Sequence, residues 1–131
     1  MSTLAAISIS VYLLISTHWM ACVLGLMSTF VDSRVESWFG SYGWCGFDEE
    51  GVEACAKTHQ LYLASFHWAF GIISGYLAYP QFGPYEPTMK APGDGSLQHS
   101  DGEMVVCVLL MVLGAFGWAY VSAIVVDIVV N

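Results

Sequence analysis

Chemistry in this 131-residue chain is concentrated in a few side chains. Cys45 and Cys55 bracket the segment Gly46-Phe47-Asp48-Glu49-Glu50-Gly51-Val52-Glu53-Ala54. In an oxidising compartment, a bond between them closes that loop and adds about 2–4 kcal/mol of stability. The alternative is two free thiols in a loop. The pair lacks the spacing of a zinc site, and His59, though near in sequence, does not complete one. Inside the bracket, Asp48, Glu49, Glu50 and Glu53 form a tight acidic run. Repeated around the axis of a symmetric assembly, the run would raise the local cation concentration. Screening limits that effect to a distance of about 8 Å at physiological salt. A plain solvated loop is the equal alternative. The Asp-x-Asp spacing and fixed glycine of a calcium loop are missing.

The four histidines, His18, His59, His67 and His99, raise the question of haem or pigment ligation. His59 and His67 are about two turns apart on one helix face, and two ligands on a single helix do not clasp a porphyrin from both sides. His18, beside Trp19, reads better as a polar knob that hydrogen-bonds inside a helix bundle. Cys22 and Cys107 fall in apolar stretches and read as packing residues. No nucleophile elbow, metalloprotease motif or phosphate loop is present. The chain is therefore expected to have no enzymatic activity, no metal and no cofactor.

The elements that must hold these residues are set by the placement of charge. Only 11% of residues are charged and 56% are apolar, with eleven acids against three bases. An ordinary soluble domain carries about 25% charged residues. Three bases cannot neutralise a nucleic-acid backbone, and a chain this rich in aromatics is not disordered. Residues 1–31 contain no charge, nor do residues 104–126. Each run exceeds the roughly 20 apolar residues needed to cross a bilayer. The first lacks the basic start and short apolar core of a signal peptide. Transmembrane helices are thus expected over 4–30 and 103–130. Glu103 suits a helix N-terminus. Asp127 belongs at an interface or wet cavity, because a carboxylate at mid-bilayer costs about 2.5–3.5 kcal/mol.

All three bases (Arg34, Lys57, Lys90) and ten of the eleven acids lie within residues 32–103. Residues 31–57 read as an irregular acidic outer loop. Residues 81–102 read as a Pro/Gly-rich loop, since Pro84, Pro87 and Pro92, with Pro80 just before, forbid a continuous helix. Between the loops, residues 60–79 carry no charge. Gly71, Gly75, Ser65, His67 and Ser74 weaken them as a membrane span. A helix over 58–73 would be about 24 Å long, which is short for a span and suited to a re-entrant segment. A re-entrant segment places both termini on one side; a third span places them on opposite sides.

Three stretches resemble one family. Thr17-His18-Trp19-Met20-Ala21-Cys22 looks like the His-Trp-x-Ala-Cys signature on the outer pore helix of ether-a-go-go-type, plant inward-rectifier and cyclic-nucleotide-gated channels. Tyr62-Leu63-Ala64-Ser65-Phe66-His67-Trp68-Ala69 is similar to the pore helix of that family. Trp118-Ala119-Tyr120-Val121 followed by Asp127-Ile128-Val129-Val130 resembles its inner helix. The order outer helix, acidic turret, pore helix, filter, inner helix covers nearly the whole chain. The resemblance implies a filter over residues 74–80, with Ser74, Gly75, Tyr76, Leu77, Ala78 and Tyr79 as its lining. It also makes Gly114 and Gly117 gating-hinge candidates on the inner helix, with simple packing as the alternative. One departure stands out: the potassium filter of the family needs two glycines around an aromatic residue, and here Leu77 follows Gly75-Tyr76.

The expected architecture is an all-α membrane protein, with two transmembrane helices flanking a re-entrant pore helix and irregular acidic loops. The resemblance implies the pore module of a tetrameric, potassium-type cation channel in the plasma membrane. Its partners would be the lipid bilayer and monovalent cations, with no nucleic acid. The competing reading is a non-enzymatic three-helix subunit of a larger membrane complex.

Overall fold

The computed structural model describes residues 2–74, 82–86 and 101–131. Helices dominate. Two long ones, α1 (Ser2–Met27) and α4 (Asp101–Val130), are long and apolar enough to cross a membrane. At 1.5 Å per residue they measure roughly 39 and 45 Å. Both are apolar around most of their circumference: Leu4, Ile7 and Leu14 on α1 and Leu109, Leu113 and Phe116 on α4 are all exposed. Helices of this kind are stable where lipid, rather than water, is the solvent. By length and composition, both helices could cross a membrane.

α1 and α4 run antiparallel. Near one end, Trp38 donates its indole Nε1–H to the Leu24 carbonyl of α1 at 3.0 Å, and its main-chain N–H lies 3.4 Å from Glu103 Oε1 of α4. Near the other end, the rings of Tyr12 and Tyr120 meet edge-on at 5.8 Å. The beginning of α1 and the end of α4 therefore lie together, away from the loops.

α1 stops at Met27, not at residue 30, although the apolar sequence continues. Ser28 Oγ donates to the Gly25 carbonyl (2.7 Å) and Thr29 Oγ1 to the Leu26 carbonyl (2.6 Å). These hydroxyls take up carbonyls that a further helical turn would otherwise satisfy. α4 opens with Asp101 and Glu103 in its first turn, where carboxylates favour the helix dipole.

Between the long helices lies α3 (Thr58–Ile73). The side chain of Gln60 accepts from the Lys57 main-chain N–H and tethers its start. α3 buries one stripe, Leu61, Ala64, Ser65, Trp68 and Ala69, at helical spacing, while Tyr62, Leu63 and Phe70 on its other side are exposed. Its buried stripe faces Thr17, Ala21 and Leu24 of α1, spaced by four and three residues and each no more than 1% exposed. Small and hydroxylated side chains on that stripe allow close approach, and Thr17 Oγ1 stays satisfied on the Leu13 carbonyl.

The loop between α1 and α3 corrects the expectation of an all-α chain with an irregular loop. It holds a short 3-10 turn (Arg34–Glu36), a one-turn helix α2 (Trp38–Ser41) and an antiparallel hairpin, β1 (Cys45–Phe47) with β2 (Glu53–Cys55). Ser33 and Ser37 cap the two helical turns by accepting from the N–H groups of Val35 and Phe39. Cys45 and Cys55 are register partners across the hairpin and are joined by a disulfide. At the hairpin tip, Asp48 Oδ1 accepts from the N–H groups of Glu50 and Val52, and Gly51 takes φ +74°. That is how an Asp and a Gly close a tight turn without apolar support. Residues 82–86 run along the other side of residues 42–46. Gly83 N–H donates to the Tyr42 carbonyl and Tyr85 N–H to the Gly43 carbonyl, both at 2.8 Å.

Candidate functional site

The site to be judged is the seat of α3, because the filter-like stretch leaves from its end. Near the start of α3, the Tyr62 hydroxyl is hydrogen-bonded to His18 Nδ1 at 2.7 Å, with the rings 5.9 Å apart. His18 thus ties α1 to α3, the role of a polar knob within a helix bundle. Midway, Trp68 packs against Trp38 with ring centres 4.9 Å apart. At the end of α3, the Ile72 carbonyl lies so near Gly114 of α4 that a Cβ there would sit 2.9 Å from the carbonyl oxygen.

These contacts fix the lie of α3. His18 is nine residues before Met27, about 14 Å along α1 from its loop end. Gly114 is thirteen residues after Asp101, about 20 Å along α4 from its loop end. Both ends of α3 therefore meet the loop-side part of the long helices, and the 24 Å or so of α3 lies across them. Below Ile73, α1 and α4 leave an open cavity of about 380 Å³, lined among others by Tyr12, Ser16, Trp19, Leu110, Leu113 and Gly114. The Tyr12 hydroxyl and Ser16 are its main polar features, so water would find few partners in it.

The filter-like residues divide. Ser74 caps α3: its N–H donates to the Phe70 carbonyl at 2.9 Å and its hydroxyl to the Gly71 carbonyl at 3.3 Å. Gly75, Tyr76, Leu77, Ala78 and Tyr79 lie outside the described residues, as does His99. α4 is continuous through both hinge candidates. Gly114 serves the contact with Ile72. A Cβ on Gly117 would meet only the Tyr12 hydroxyl, at an ordinary 3.4 Å.

The acidic run also divides. Asp48, Glu49 and Glu50 are exposed around the hairpin tip. Glu53 is exposed too, but it is hydrogen-bonded: one carboxylate oxygen accepts from Ser33 Oγ (2.9 Å) and the other from the Arg34 main-chain N–H (3.0 Å). It is a strut between the hairpin and the 3-10 turn. Asp127 is exposed near the end of α4 and accepts from the Asn131 side-chain amide at 2.6 Å. His59 and His67 are exposed on α3. Among the described residues, no three His, Cys, Asp or Glu side chains converge as a metal site would require.

Two residues matter more than the sequence indicated. Trp38 is fully buried and touches α1, α3 and α4, through the Leu24 carbonyl, Trp68 and Glu103. Glu103 is 3% exposed, drawn down against Trp38 rather than left in water at the helix start. A serine-capped turn before Trp38 was the one local signal of order there. Cys22, expected as a packing residue, is exposed instead, with its sulfur 3.6 Å from His18 Nε2. No protein-family model, curated protein or solved structure matches this chain.

Proposed function

We propose that this chain is the pore module of a cation channel, in which four copies surround a common path across the plasma membrane. The observation that carries this reading is the seat of α3. A short helix lies across the loop-side part of two long apolar helices and ends against Gly114, partway along α4. On this reading α3 is re-entrant, and the chain from Ser74 onward returns to the loop side, where α4 begins. Termini that share one end of the α1–α4 pair agree with that path.

The mechanism is passive. The C-terminal end of α3 carries partial negative charge and favours a cation over an anion. Backbone carbonyls from Ser74 to Leu77 replace part of the hydration shell of the ion. Asp48, Glu49 and Glu50 at the hairpin tip raise the cation concentration outside. Leu77 resists the backbone angles a tight potassium filter needs, so selectivity among monovalent cations is weak.

The test is recording from purified full-length protein in planar bilayers under potassium, sodium, calcium and chloride gradients. The expected result is unitary current that reverses near the cation potentials and discriminates little between potassium and sodium. Conductance no greater than that of the bare bilayer, or current that follows chloride, overturns the reading.

A further inference from the structure

The open cavity of about 380 Å³ under the end of α3 has a lining of one chemical character. Val23, Ile73, Leu110 and Leu113 supply apolar walls, and no charged side chain lines it. Its two hydroxyls belong to Tyr12 and Ser16, one turn apart on α1. Elsewhere on α1, Ser10, Thr17, Ser28 and Thr29 each donate to a carbonyl of their own helix. The hydroxyls of Tyr12 and Ser16 make no such bond, nor any other hydrogen bond among the described residues. Both are left to a ligand.

Two glycines of α4 keep the space open, for different reasons. Gly114 is required by packing, because a Cβ there would sit 2.9 Å from the Ile72 carbonyl oxygen. Gly117 is not: a Cβ there would meet only the Tyr12 hydroxyl, at an ordinary 3.4 Å. Glycine is a poor helix former, and at position 117 its effect is to leave volume beside that hydroxyl. A dry apolar cavity of about 150 Å³ binds benzene, so this one has room for roughly two fused rings. Apolar walls with a few polar groups that fix orientation are the usual build of a small-molecule site.

We propose that this cavity binds a neutral, lipophilic alcohol of about two rings. The apolar body of the ligand fills the space beside Gly117, and its hydroxyl bonds the hydroxyls of Tyr12 and Ser16. A charged analogue is excluded, because nothing in the lining compensates a buried charge. The site is independent of whether the chain conducts.

The probe is radiolabelled β-naphthol, measured by equilibrium dialysis against the full-length chain in detergent micelles. Protein-free micelles give the background partition. The expected result is saturable binding of one naphthol per chain above that background. Naphthalene, which lacks the hydroxyl, competes about fivefold more weakly, and naphthalenesulfonate does not compete. Gly117→Leu fills the cavity and weakens binding at least tenfold. Tyr12→Phe combined with Ser16→Ala weakens naphthol binding about fivefold and leaves naphthalene unaffected. Far-ultraviolet circular dichroism separates lost binding from lost fold. Should Gly117→Leu unfold, the double variant, which removes only two oxygens, carries the test. Uptake no greater than that of empty micelles overturns the proposal. So does binding that Gly117→Leu leaves unchanged in a folded chain, or a double variant that holds naphthol as tightly as the parent.

Discussion

Replacing Trp38 by alanine should unseat the loop between α1 and α3 from the helices. The side chain is fully buried, with the rings of Phe39 and Trp68 centred 4.2 and 4.9 Å away. Large-to-small changes of a buried aromatic cost about 3–5 kcal/mol, through lost contacts and the cavity left behind. The indole bond to the Leu24 carbonyl accounts for roughly 1 kcal/mol of that. Trp38→Phe keeps most of the ring volume and loses the donor, so it should cost only about 1–2 kcal/mol. The assay is thermal unfolding of the full chain in micelles, followed by near- and far-ultraviolet circular dichroism. Near-ultraviolet signal from the packed aromatics should melt on the order of 15 °C lower in Trp38→Ala. The far-ultraviolet signal should persist, because α1 and α4 satisfy their own backbone in an apolar environment. An alanine variant that melts with the parent refutes the reasoning. So does a phenylalanine variant as damaged as the alanine one, since packing would then not be the main contribution.

Gly114→Val should destabilise the seat of α3 by about 1–3 kcal/mol, because its Cβ would press on the Ile72 carbonyl, whereas Gly117→Val should cost less than about 0.5 kcal/mol. Melting curves of the two variants, compared side by side, check the contrast. Gly83→Ala should release residues 82–86 from the loop, since its Cβ would overlap the Gly43 carbonyl and lie 2.7 Å from Trp44 Cα. The readout is faster amide exchange at Tyr85, whose N–H bonds the Gly43 carbonyl in the parent. On the channel reading, Leu77→Gly should raise the potassium-to-sodium permeability ratio by removing a side chain that costs roughly 1–2 kcal/mol at a left-handed position. Bi-ionic reversal potentials measure that ratio, and an unchanged value places the filter elsewhere in the chain.

The parts of the fold that were legible in the sequence are those fixed by local rules. α1 and α4 follow from charge-free length, which needs no knowledge of neighbours. α3 follows from the uncharged stretch 60–79, which Gly71, Ser74 and Gly75 shorten to a helix over 58–73. The end of α1 was not legible, because Phe30 and Val31 continue the apolar run and two hydroxyls decide the stop. The hairpin was hidden for a different reason. Three-residue strands carry almost no alternation, and their pairing rests on the Asp48 turn and the cross-strand disulfide. Composition reads Glu53 as one more acid in a run; only the fold separates it from Glu49 by turning it toward Ser33 and Arg34. Trp38 was the least legible of all. Its partners Leu24 and Glu103 are 14 and 65 residues away, beyond the reach of any window.

That last point bears on how α3 is held. On the membrane reading, apolar helices in hydrocarbon gain nothing by hiding from solvent, so α1 and α4 depend on close packing and hydrogen bonds to stay together. Their mutual packing is interrupted by the open cavity below Ile73. The loop end is different, because there water does drive burial. Trp38, Phe39, Tyr42 and Cys45 are buried in one cluster with Leu24 of α1, Trp68 of α3 and Leu110 of α4. The disulfide and the caps at Ser33 and Ser37 stiffen the covering loop. Residues 82–86, which follow the filter-like stretch, are hydrogen-bonded to the same loop at Tyr42 and Gly43. α3 and the segment beyond the filter-like stretch thus share one anchor, the cluster around Trp38. A perturbation of that cluster moves both flanks of residues 75–81 together, while one at the far end of α1 or α4 reaches them only through the helices.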